Sequence, residues 1–178
     1  KTLNSKKDMW LSMAGCLSDN FLPEFSEEFI KLYPDMWKKN AQSAFEVLYE
    51  GEFGKLITIL DFALKDRTSK VVGMMNFLLK VQNPSDILIE NNKNKHILER
   101  YNQVNSIYQR LLENAKAVAR SSGKLVVFKY GGKLSLSADI ANEISYRFPG
   151  KVVLVAYTND YSVNVSIRGN LDVRDITL

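Results

Sequence analysis

The chain has 178 residues, 46% of them hydrophobic and 25% charged, with a net charge of +4. That length allows one large or two small domains with a substantial core, and no apolar run approaches the roughly 20 residues of a membrane helix. The single cysteine, Cys16, excludes an internal disulfide; with no secretory signal pattern visible, the expected setting is reducing and cytoplasmic.

From the start to residue 92, short helical patterns follow one another. A helix over about Lys6 to Leu17 places Met9, Met13 and Leu17 in one apolar row with Trp10 beside it. "PEFSEEFIKLY" carries acidic residues in its early turns and ends before Pro34, whose ring disfavours helix in the preceding residue. "AQSAFEVLYEG" is stopped by Gly51, and "FGKLITILDFALK" follows. "TSKVVGMMNFLLKV" has Thr68 or Ser69 as its cap, and "NPSDILIEN" has Asn83 as cap with Pro84 at the first helical position. The asparagine and lysine run from Glu90 to Lys95 reads as a loop.

Between His96 and Arg120 the residues Ile97, Tyr101, Val104, Tyr108, Leu111, Ala115 and Val118 recur at alternating steps of four and three. This is an apolar seam on one long helix, suited to packing on the adjoining domain or to joining two copies in a homodimer. Gly123 is its stop signal. The remainder reads as strand (Lys124 to Tyr130), helix (Ser137, as cap, to Phe148), strand ("KVVLVAYT") and, after the turn "NDY", a third strand. Two strands joined by a helix should be parallel and the hairpin antiparallel, which predicts a mixed α/β fold: a helical first half, a long connecting helix over 93–120 and a small mixed sheet over 121–178. The basic surplus lies in the second half: residues 1–92 hold 11 basic and 13 acidic side chains, 93–120 hold 6 and 2, and 121–178 hold 7 and 5. A polyanionic partner would be drawn there, although a solvated basic face has the same signature.

No P-loop, dinucleotide glycine fingerprint, paired-cysteine or paired-histidine motif is present. His96 reads as a helix-start residue and Cys16 as apolar filler. Two features remain. Asp19 follows an apolar helix in "AGCLSDNFLP", where a carboxylate serves either as a hard metal ligand or as a turn residue. In "YSVNVSIRGNLDVR" the alternation separates Tyr161, Val163, Val165 and Ile167 from Ser162, Asn164, Ser166 and Arg168. The apolar set is expected to enter a core, leaving a polar face that suits a phosphodiester and equally describes the wet side of an ordinary strand.

Together these two stretches carry a resemblance. "WLSMAGCLSDNFLP" resembles the fourth motif of the DHH-family phosphoesterases, in which a helix leads into G-x-x-x-D, and "VNVSIRGNLDVRDI" resembles the strand of the DHH-associated domain; the order and separation of the elements are closest to archaeal RecJ-like members. The resemblance implies that Asp19 is a ligand of a two-metal centre, manganese or magnesium, and that Ser166, Arg168 and the Gly169 backbone, with Asn164 on the same face, hold the phosphate of single-stranded nucleic acid or an oligonucleotide. It also implies an intact metal-dependent phosphodiesterase or exonuclease. The family's Asp-His-His motif and its G-G-G-H motif lie outside this sequence, so the expectation is a catalytically inactive piece of a longer enzyme. The alternative is a non-catalytic nucleic-acid-binding or replication-scaffold module of the same superfamily.

Overall fold

The computed structural model describes residues 8–169. Seven helices and three strands follow in the order α1 (Met9–Ser18), α2 (Ser26–Leu32), α3 (Ala44–Glu50), α4 (Glu52–Leu64), α5 (Thr68–Leu78), α6 (Lys95–Ser121), β1 (Leu125–Gly131), α7 (Ser137–Arg147), β2 (Val152–Thr158) and β3 (Val163–Arg168). This is the mixed fold expected from the sequence: a helical first half, a long helix, then a small sheet. Among the described residues no helix is long and apolar enough to cross a membrane.

The chain divides into two compact units at Val104 and Asn105, inside α6. In the first unit, local chemistry sets the helix ends. Ser43 accepts a hydrogen bond from the Glu46 amide and the Glu46 carboxylate accepts one from the Gln42 amide, a near relative of the capping box. Asn83 receives the Ser85 amide ahead of Pro84, as read from the sequence, but the segment Pro84–Ile87 is a 3-10 turn, not an α-helix. Trp10, Met13 and Leu17 are buried with Phe29, Val47, Phe53, Leu56, Met74 and Ile87. Phe29 is the hub of the aromatic part, with ring centroids 4.7 Å from Phe53, 5.1 Å from Tyr33 and 5.7 Å from Trp37. At Gly54 a Cβ would lie 2.0 Å from the Leu48 carbonyl oxygen, so only glycine lets α4 start this close to α3. Ile97 and Tyr101 of α6 join this unit, Tyr101 stacking at 6.0 Å on Phe62.

In the second unit, β1 and β2 are parallel, with Val126 opposite Val153, Phe128 opposite Val155 and Tyr130 opposite Tyr157. These six face one way and are buried, together with Ile140, Ala141 and Ile144 of α7. Strand β3 pairs antiparallel with β2, so the sheet order is β1-β2-β3. The α6 seam changes register here: Tyr108, Leu112, Ala115 and Ala119 are buried, whereas Leu111 and Val118 are half-buried. Tyr108 donates its hydroxyl hydrogen to the buried Glu143 carboxylate, which also receives the Arg147 guanidinium, so the one buried acid of α7 is fully partnered. The Lys151 ammonium donates to the Ala119 and Ser122 carbonyls at 2.6 and 2.7 Å, closing the C-terminal end of α6.

Candidate phosphate-binding site

Pairing fixes which face each β3 residue occupies. Val155 lies opposite Ser166, Val153 opposite Arg168 and Tyr157 opposite Asn164. The polar series of β3 therefore shares the face that α7 covers, and the apolar series falls on the other side. This reverses the expected assignment of the two sets: Val163 and Val165 are 60% and 51% exposed and Tyr161 is 96% exposed. The alternation itself is intact. Which half of it was covered depended on where α7 lies, and a shift of one residue exchanges the two sets.

Ser166 and Arg168 consequently sit beside α7, half-buried. The Ser166 hydroxyl donates to the hydroxyl of Ser137, the first residue of α7, at 3.1 Å. Arg168 donates from Nε to Asn142 Oδ1 of α7 at 2.6 Å and from Nη1 to the Ile167 carbonyl at 2.8 Å. Its Nη2 has no hydrogen-bond partner among the described residues. Nε and Nη1 are thus spent on orientation, while Nη2 keeps its donors for a ligand oxygen. Asn164 is exposed, further along the same face. Gly169 follows the strand, and a Cβ there would meet Val152 Cγ2 at 3.3 Å.

The α7 N-terminus borders Ser166 and carries no side-chain cap. Its first amides have no intrahelical acceptors, which makes that end favourable for an anion, although Asp139 in the first turn opposes one. The preceding loop is held from below. The Tyr157 hydroxyl donates to the Gly132 carbonyl at 2.8 Å, Gly132 takes a φ of 148°, and the Tyr130 hydroxyl accepts the Leu136 amide. Burial pushes the Tyr130 hydroxyl up to about 12. Ser137 is the first residue of α7 rather than its cap, which is Leu136; a hydroxyl at a helix start next to a polar strand is a signal for its role, whereas nothing local in the sequence marks Asn142.

Asp19 belongs to the first unit and is exposed. It is the C-cap of α1. The Phe21 amide donates to the Cys16 carbonyl and the Asn20 amide to the Leu17 carbonyl, with Asn20 at φ 56°, the paired bonds of a Schellman termination. Among the described residues no group of three histidines, cysteines or carboxylates could hold a metal ion. The donor set around Asp19 does not fit the two-metal centre that the resemblance implies, and no chemical step is assigned to it. Cys16 and His96 are half-buried. No protein family, curated protein or solved structure compared with the chain matches it.

Proposed function

We propose that the chain grips the phosphate of single-stranded nucleic acid or a short oligonucleotide along the edge where β3 meets α7, as the substrate-holding part of a DHH-type phosphodiesterase or exonuclease. The carrying observation is the pair Ser166 and Arg168, each tied to α7, with the guanidinium Nη2 left without a partner among the described residues. A forked cation at half burial binds a phosphate oxygen more strongly than a solvated lysine, because less screening separates the charges. Ser166 and Asn164 extend the same line of donors, and the uncapped start of α7 adds amides.

A second reading is a binding module without catalysis, in which Asp19 is only the C-cap of α1. Both readings share the same phosphate contact. For a fluorescent single-stranded oligonucleotide followed by anisotropy, affinity is expected to fall steeply with salt. Arg168→Ala is expected to weaken binding by about 1.5–3 kcal/mol, the range for hydrogen bonds to charged groups. Equal affinity in that variant, or binding indifferent to salt, would overturn the proposal. Both readings expect no cleavage by this chain alone, so manganese separates them only in a longer chain that carries the Asp-His-His motif, where the enzyme reading alone expects a cleavage product.

A further inference from the structure

A cleft of about 760 Å³, half open to solvent, lies wholly within the first unit, between the end of α5 and the loop over residues 86–93. One side is apolar, formed by Phe77, Val81 and Ile89. Lys80 and Lys93 line it too, and among the described residues neither ammonium has an ion pair or hydrogen bond. Asp86 and Asn92 supply an unpartnered carboxylate and amide to the same cleft.

The loop that carries these groups is held in place from within. Asn94 is fully buried; its amide nitrogen donates to the carbonyls of Asp86, Ile87 and Ile89 at 3.2, 3.3 and 2.9 Å, and its Oδ1 accepts the Asn91 amide at 2.8 Å. Asn91 Oδ1 in turn accepts the Lys93 and Asn94 amides. A buried asparagine with such a set of bonds fixes one backbone course, so Asn92 and Lys93 are presented from a loop whose shape is already set. Preorganised donors of this kind bind without the entropy loss of ordering a flexible loop.

The mixture of groups narrows the ligand. A bare anion makes no use of Phe77, Val81 and Ile89, and a purely apolar ligand makes none of Lys80, Lys93 and Asp86, which are exposed at the cleft. A ligand with a flat ring, a phosphate and hydroxyl or amino donors answers all of them, and the volume falls inside the usual range of small-molecule sites, about 300–1,000 Å³. We propose that this cleft binds a nucleoside phosphate, with Lys80 and Lys93 taking the phosphate, Phe77 and Ile89 the ring, and Asp86 a sugar hydroxyl or exocyclic amine. The site is separate in sequence from β3 and does not depend on the phosphate contact proposed there.

The test uses the full chain in the Arg168→Ala background, which removes the β3 contact, and measures 5′-AMP by calorimetry. Saturable binding is expected, weakened about tenfold or more by Lys80→Glu with Lys93→Glu. Both side chains are exposed, so these changes leave folding intact. Phe77→Leu, close to volume-conserving, is expected to weaken AMP several-fold. Undiminished AMP affinity in the double lysine variant overturns the proposal, as does inorganic phosphate binding as tightly as AMP. Failure of the β3 proposal has a different signature: Arg168→Ala alone leaves oligonucleotide affinity unchanged.

Discussion

The sheet has two apolar faces that meet different fates. Toward α7, Val126, Phe128, Val153 and Val155 are buried, and the polar residues of β3 complete the edge of that layer. On the opposite side, Leu125 and Val127 of β1 are 55% and 52% exposed, beside Val163 and Val165 of β3. Both faces have similar hydrophobic composition, so composition does not decide burial here; the position of one helix does. The candidate phosphate contact owes its existence to the same fact, because α7 supplies the Ser137 and Asn142 partners that orient Ser166 and Arg168.

Substitutions on the two faces should separate most widely in stability. Phe128→Ala, on the covered face and in ring contact with Tyr130 at 5.9 Å, should destabilise the second unit by about 3–5 kcal/mol in denaturant titrations. A loss below about 1 kcal/mol would mean that α7 does not hold this face shut. The next effect is pH-dependent. In the folded chain the Tyr130 hydroxyl keeps its proton up to about 12 rather than 10, so its contribution is intact below pH 10 and is lost as pH rises from 10 toward 12. The decline should be on the order of 2 kcal/mol, and Tyr130→Phe should flatten it in the same titrations. Smallest of all, Val165→Thr on the open face should change stability by no more than about 0.5 kcal/mol. A large loss there would reveal a cover over that face.

Much of the architecture could be read from residue order. Gly51, the Asn83–Pro84 pair and Gly123 punctuate the chain where elements end, and the strand, helix, strand, strand order implies one parallel and one antiparallel pairing. Those signals are local, so a sequence carries them. Other features depend on tertiary partners. Val163 and Val165 alternate correctly, yet only pairing to β2 and the position of α7 determine which side of β3 is covered. The seam of α6 passes from Tyr108 to Leu112 instead of Leu111, as a helix of 3.6 residues per turn drifts from a strict alternation of four and three. Asp19 illustrates the same limit: a carboxylate after an apolar helix has one sequence signature whether or not it binds a metal, and the structure shows it at the C-cap of α1. Ser166 and Arg168 were identifiable as residue types, but the α7 partners that aim them were not.

The most direct test of the phosphate contact is a titration of the ¹⁵N-labelled chain with a short single-stranded oligonucleotide, followed residue by residue in amide spectra. Shifts are expected at Ser137, Asn142, Asn164, Ser166, Arg168 and Gly169, with the amides of Val127 and Leu125 on β1 unmoved. Shifts centred on the open face around Val127 and Val165, or none at β3 and α7 at saturating oligonucleotide, would contradict it.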